Sequence, residues 1–516
     1  LKLLRPWRTR RRRSDTATKG KGAVIVWAHG PISRRNGQNR SLVALRRRES
    51  FVVAHRLLTS PPNGRSNAVP KWKVLLAVVS MVLACSVWFL GLMDSLGRPS
   101  VAPALSLEQQ ELALLAEPAL TPSLKPLLIG QDPAQSLLET LRETPLDSLN
   151  DRQTLLFASL ENDPGRRKTL LETPLQTPNL RTLQETLVTE PRSLDLSSQE
   201  QALLSDNSPD PLTRRLVCQA LGGAQSDCVD SSAAKAAARR LVLSELMPLG
   251  ALLLGSLLLV RQLWLLLRRK QSSWPELQAP PLGLVDMVLL IAGGFVVLGE
   301  VLVPLLVTPL SALVARSIAA PLNQSVAVLI GYCALATPPL LILKSQLDGL
   351  DQRLLPAGGW LQWRVRPWWT ALFQGGRAWL MVMPPVVLTG WLMSRVIGDQ
   401  GGSNPLLEMV LNGRDPLALL LLAITAVVLA PLFEETVFRG VLLPVLGRSF
   451  GRGWSVFGSA LVFAVAHLSI GELLPLLVLG LGLALLRLSS GRLLPCVVMH
   501  ALWNGVTFLN LVLLGS

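Results

Sequence analysis

Cysteine is scarce in this chain, histidine scarcer, and the usual signatures of soluble catalysis are missing. Five cysteines in 516 residues are too few for a disulfide scaffold. No HExxH occurs anywhere, which removes the usual zinc-protease signature. Residues 100–235 are the only sizeable polar stretch besides the N-terminal tail, and they hold no nucleophile motif, metal cluster or phosphate loop. Acids are nearly absent from residues 1–70, which carry 17 Lys/Arg against 2 Asp/Glu. That surplus of 15 accounts for nearly all of the net charge of +16. The basic balance is therefore local, and no nucleic-acid role follows from it.

The tail, beginning LKLLRPWRTRRRRSD, is too charged and too rich in Ser, Asn and Gly to bury a core, so residues 1–70 are expected to be disordered. It reads as an anionic-lipid anchor, as an organellar transit peptide, or as a stretch translated from a mis-set start, with the protein proper beginning near Lys71. Cys85, Cys333 and Cys496 lie in apolar runs as packing residues. Cys218 and Cys228 lie close together in the polar region, where a disulfide is available to them in an oxidising compartment.

What the chain does have is long charge-free apolar runs. Half its residues are apolar and its mean hydropathy is +0.41, so it reads as an all-α polytopic membrane protein. An uncleaved anchor is expected over residues 71–95, with its apolar run from Val74 to Met93. Further spans are expected at about 246–267, 284–305, 326–343, 379–397, 416–437, 454–470, 473–488 and 493–514, about nine in all. Between the first and second, residues 96–240 form an expected small helical extramembrane domain. Leu recurs there at helical spacing between Pro and Asn breaks, and 19 acids face 10 basic residues over 101–230. Residues 241–374 are read as membrane helices plus an interfacial helix in the Trp- and Arg-rich stretch 356–377. Residues 375–516 form the last block. Lys/Arg recur in alternate loops (Lys71 and Lys73; Arg268, Arg269 and Lys270; Lys344, Arg353, Arg364 and Arg366; Arg448 and Arg452), which marks those loops as cytoplasmic. Arg239 and Arg240 run against that pattern.

The stretch PLFEETVFRG, 431–440, puts Glu434, Glu435 and Arg439 into this apolar setting, where ionisable groups are costly and functional by default. Glu435 and Arg439 are four apart and can pair on one helix face, leaving Glu434 pointing elsewhere. Of the four histidines, His467 and His500 lie in apolar runs. Between Glu434 and His467 the only turn-like sequence is GRSFGRG, 447–453, so in a helical hairpin the two would lie at nearly equal depth. His500 and Asn504 share a face of the last helix, which runs parallel to the helix of His467. A Glu, two His and an Asn could thus converge from three helices, a set suited to water activation and oxyanion stabilisation. Two routes stay open. Glu434, His467 and His500 would suit zinc with an open position; alternatively no cofactor is needed, which is the expectation here.

EETVFR, FAVAH and HALWN match, in order, the patterns EExxxR, FxxxH and HxxxN. Over roughly residues 375–514 the chain resembles the CAAX prenyl protease and bacteriocin-processing (CPBP) family of intramembrane proteases. The resemblance implies that Glu434 and His467 activate the attacking water and that His500 and Asn504 stabilise the tetrahedral oxyanion. Glu435 and Arg439 would support the site, and Phe463 would set the ring of His467. The substrate would be a membrane protein or peptide, met at the bilayer of an integral multi-pass protein. The alternative is a non-catalytic membrane binding or assembly protein that retains the protease fold. A proton-coupled transporter lacks the inverted repeat it would need.

Overall fold

A computed structural model describes residues 69–98, 100–189, 196–269, 274–398 and 401–515. The basic tail of residues 1–68, with its expected disorder, lies outside the described residues, as does Lys270. Among the described residues all regular structure is helical, and the protein is an all-α polytopic membrane protein.

The first long apolar helix, α1, spans Lys71–Ser95. A helical domain follows, built from α2 (Ala102–Ala116), α3 (Pro133–Glu143), α4 (Asp151–Leu160), α5 (Pro164–Glu172), α6 (Pro178–Thr189), α7 (Ser198–Asn207) and α8 (Pro211–Ala220). The Pro and Asn breaks of its sequence are helix starts. Asp132, Asp163 and Asp210 each cap a helix whose first residue is proline, accepting from Gln135, Arg166 and Thr213 backbone N–H groups. Proline fits there because that position has no intrahelical N–H bond to lose. Asn150 with Gln153 and Ser197 with Glu200 close reciprocal capping boxes. The leucines of α3, α4 and α8 meet in one apolar core, and Cys218 is joined to Cys228 by a disulfide, Cα–Cα 5.6 Å.

The domain leads without a break into the bundle. Helix α9 is a single 37-residue rod, Ser231–Leu267, so its first turns belong to the domain and the rest to the membrane. The expected boundary at 240 falls inside it. Then come α10 (Leu284–Leu313), α11 (Leu322–Asp348), α12 (Trp368–Ile397), α13 (Pro416–Val465), α14 (Ile470–Ser490) and α15 (Leu494–Gly515). Among the described residues, eight helices, α1 and α9 included, are long and apolar enough to cross a membrane. Two of the expected spans, 416–437 and 454–470, fall in and just beyond the 50-residue α13, which is a hairpin. Gly451 takes the non-helical angles φ 80, ψ 170, a positive φ that favours glycine. The arms then run back along each other. A Cβ on Gly447 would stand 3.5 Å from Ser455 Oγ, one on Gly458 3.3 Å from Leu446, and Ser459 Oγ donates to Phe438 O at 3.1 Å.

Alternating traverses gather the basic loops at one end of the bundle. Lys73 Nζ meets Asp286 Oδ1 at 2.5 Å, Gln346 donates to Asp286 O, and Arg448 donates to Pro280 O and Leu282 O. The helical domain sits at the other end, where Arg98 donates to Leu468 O at 3.0 Å and Ser469 Oγ to Gly401 O and Gly402 O. Arg240, the exception to the charge pattern, has a local reason to be there. Its guanidinium donates to Leu513 O and Leu514 O, the orphan carbonyls that end α15.

The stretch 356–377 is not one interfacial helix. Residues 356–367 are irregular, and helix begins only at Trp368. Gly358 and Gly359 take positive φ, as do Gln362 and Arg364, and Pro367 denies the helix a donor. Two arginines near the neighbouring turn hold this segment instead: Arg487 donates to Leu361 O at 3.4 Å and to the Gln362 side chain at 2.8 Å, and Arg492 donates to Arg364 O, Val365 O and Pro367 O. Arg487 is fully buried, so the loop supplies the polar partners that lipid could not.

Candidate active site

Both carboxylates of the pair sit on the descending arm of α13, just before residues Thr436–Leu442, where the helix widens into π turns. Such widening is frequent at functional sites. Glu435 is fully buried and points across the bundle. Its Oε1 accepts from Arg439 Nη1 at 2.8 Å and from Nδ1 of His500 at 2.9 Å. Arg439 is equally buried; its Nη2 donates to Gly480 O at 3.3 Å, and its guanidinium lies 4.3 Å from the centre of the Phe463 ring. A charge at this depth persists only when paired and bonded, and here the pair, the carbonyl and the ring face provide that.

Glu434 does not point away from this group. Its Oε1 accepts from the Tyr332 hydroxyl at 3.3 Å, and its Oε2 stands 3.9 Å from Nε2 of His500. Two adjacent residues thus engage the two nitrogens of one imidazole. Since the Glu435 carboxylate can only accept, His500 donates from Nδ1, and in the neutral ring Nε2 is left as an acceptor facing Glu434. Glu434 Oε2 is buried without a hydrogen-bond partner.

His467 lies where the ascending arm ends, beside Leu468 with φ 51. Its Nδ1 is 2.8 Å from Phe463 O, a carbonyl, so Nδ1 carries the proton and Nε2 is unprotonated in the neutral ring. Phe463 joins the two histidines: its ring centre is 4.8 Å from that of His467 and 5.7 Å from that of His500. Asn504, one turn beyond His500, donates from Nδ2 to Ala426 O at 2.8 Å. That bond ties α15 to the descending arm and leaves the second amide proton and Oδ1 available.

Aromatic rings frame the group in an unbroken series. Tyr332 meets Phe433 (6.2 Å), Phe433 meets Phe295 (5.8 Å), Phe295 meets Phe438 (6.5 Å) and Phe438 meets Phe463 (5.6 Å). Three of these four contacts are tilted edge-on towards the neighbouring face, the arrangement that ring quadrupoles favour. Tyr332 and Phe295 belong to α11 and α10, and reading along the sequence does not bring them to the site. One signal does exist: Tyr332 is the only tyrosine of the chain, a hydroxyl placed in an otherwise apolar helix.

Among the described residues no three His, Cys, Asp or Glu side chains are grouped so as to hold an ion; Nδ1 of each histidine is hydrogen-bonded and Nε2 of each is left free. The chemistry available is that of acid–base groups: Glu434 beside His500, and His467 linked to His500 through the Phe463 ring.

Residues 416–506 match the family model described as type II CAAX prenyl endopeptidase Rce1-like; every motif residue from Glu434 to Asn504 lies inside that match. Residues 102–239 match a model described only as a domain of unknown function, DUF8675. Comparisons with curated proteins and with solved structures return no match. The family of the matched segment is one of CAAX protease-type intramembrane peptidases, which suggests a membrane hydrolase acting on membrane-associated substrates. The chain is an integral, multi-pass membrane protein that carries, at residues 416–506, an Rce1-like domain consistent with the CPBP family.

Proposed function

We propose that the protein is an intramembrane endopeptidase in which Glu434 activates water against a peptide bond in or next to the bilayer. The observation that carries the reading is Glu434 Oε2, buried, without a hydrogen-bond partner, and 3.9 Å from Nε2 of His500. At that separation one water can lie within hydrogen-bond reach of both atoms.

The steps follow from the donor and acceptor inventory. Water attacks the scissile carbonyl carbon as its proton passes to Glu434, with the unprotonated Nε2 of His467 as the second acceptor for that water. The carbonyl oxygen becomes an oxyanion, for which the free amide proton of Asn504 is one donor. His500 is the other, donating from Nε2 when the ring carries a proton on both nitrogens. Collapse of the tetrahedral species breaks the C–N bond, and the proton held by Glu434 goes to the leaving amine. Glu435 and Arg439 act as support: they hold the tautomer of His500 and neutralise each other.

Comparing membrane peptides from cells that carry wild type, Glu434→Ala and Glu435→Ala tests this. Accumulation of an uncleaved precursor in the Glu434→Ala cells supports the reading and identifies the substrate. If a folded Glu434→Ala protein leaves every peptide unchanged, the protein is a non-catalytic binding or assembly factor.

A further inference from the structure

We infer that Tyr332, supplied by a helix outside the Rce1-like segment, is a positioning residue for Glu434: its hydroxyl holds Oε1 and thereby turns Oε2 towards His500. The inference rests on the proteolytic reading for its kinetic consequence, though not for the contact itself. Three observations carry it. Among the described residues the hydroxyl is the one hydrogen-bond donor that reaches Oε1, at 3.3 Å, and it comes from 102 residues upstream, on α11. The ring that bears it is fixed by an edge contact with Phe433, the residue immediately before Glu434, with ring planes 86° apart. Tyrosine and carboxylate are thus aimed by the same turn of α13. Finally, Glu434 is unlike Glu435, whose Oε1 has both an arginine and a histidine. Without Tyr332, neither oxygen of Glu434 would have a hydrogen-bond donor among the described residues, and its carboxylate would be free to rotate about a broad, two-fold terminal torsion.

At 3.3 Å the bond is longer than the 2.7–2.8 Å usual for O–H···O, as catalytic bonds are in ligand-free sites before substrate tightens them. A side chain that fixes a base without touching the reacting atoms acts on the chemical step and not on substrate binding. It follows that the catalytic unit extends beyond residues 416–506 to include α11, and that a fragment containing only the Rce1-like segment would have a misdirected base.

The test uses the full-length protein in liposomes with Tyr332→Phe, which keeps the ring and removes the hydroxyl. Cys333→Ala, at the exposed neighbouring position, serves as the control. Two readouts are taken: the kinetics of cleavage of the precursor peptide, and the rate at which Glu434 is modified by a hydrophobic carbodiimide, located by mass spectrometry. Loss of the hydroxyl is expected to lower kcat about tenfold with KM unchanged, the effect of one positioned hydrogen bond to a charged group. It is also expected to speed modification of Glu434, whose Oε1 is no longer covered, while Cys333→Ala changes neither. If Tyr332→Phe cleaves and labels like wild type, the inference is wrong. Should even wild type cleave nothing, the proteolytic reading fails, and the labelling rates alone still decide whether Tyr332 holds Glu434. Should Tyr332→Phe fail to fold, Phe433→Leu loosens the edge contact that aims the hydroxyl; wild-type labelling of that variant would overturn the inference.

Discussion

His500 donates from Nδ1 to Glu435 Oε1 at 2.9 Å, joining two helices across 65 residues of sequence. This one bond sets the tautomer of the ring and fixes which nitrogen faces Glu434. It also separates the roles of two glutamates that the sequence presents as neighbours of equal standing.

The first prediction follows from that separation. Glu435→Ala leaves Arg439 and one nitrogen of His500 buried without their anion, and breaking a buried pair costs about 3–5 kcal/mol. Thermal unfolding in detergent should therefore show Glu435→Ala strongly destabilised. Glu434 carries no arginine, so Glu434→Ala should unfold within a few degrees of wild type while losing cleavage. Equal destabilisation by both variants would contradict the division of roles.

A second prediction concerns metal. If Glu434 activates water without an ion, cleavage should survive prolonged dialysis against a zinc chelator. His467→Ala should still abolish it. Loss of activity on chelation, restored by zinc alone, would show that the site rearranges around an ion.

The third concerns pH. Glu111 on α2 is buried where the helical domain meets the bundle, and burial raises its pKa to about 7 despite the Arg152 guanidinium 2.7 Å away. Glu108, beside it, is also raised by burial. Asp210, Arg240 and Arg414 face the same place, where two adjoining cavities of about 290 and 340 Å³ open. An acid with a raised folded pKa binds more protons folded than unfolded, so stability falls as pH rises from about 4.5 to about 7 and is level above. Hydrogen exchange of α2 should therefore quicken over that window, and Glu111→Gln should flatten the dependence. Glu161 works in the opposite sense. Its bond to Arg142 holds it down at about 2, so its contribution is present above about pH 4.5 and is lost as pH falls towards 2.

The fourth concerns the disulfide. Cys218 and Cys228 close a loop with a sequence separation of 10, for which chain entropy predicts about 2.5 kcal/mol of stabilisation. Cys218→Ser should lower the unfolding midpoint of the helical domain and leave α13 to α15 unaffected. A Cβ on Gly223 would stand 2.8 and 2.9 Å from the two sulfurs, so Gly223→Ala should destabilise the same region.

Much of this fold was legible in advance, for identifiable reasons. Spans are written in uninterrupted apolar runs, and the polar motif residues stand out against them. The hairpin that carries Glu434 and His467 on its two arms could be placed from a single glycine-rich turn. What could not be read is where depth becomes contact. Helical spacing put Glu434 on another face from Glu435, yet both approach His500, because the partner ring meets one with each of its two nitrogens. The loop 356–367 was missed because its Trp and Arg suggest a headgroup-level helix, while its structure depends on Arg487 and Arg492, more than a hundred residues away. Tyr332 and the phenylalanine series were invisible for the same reason: cross-bundle neighbours leave no local pattern.

The docking of the helical domain has a mechanical corollary. Leu112, Ala116 and Leu120 of that domain share a core with Leu511 and Leu514 of α15, and Arg240 clasps the end of the same helix. His500 and Asn504 sit farther along that helix, about 15–20 Å from its end at a rise of about 1.5 Å per residue. A ligand or protein that shifts the extramembrane domain would therefore push a piston that carries His500 and Asn504.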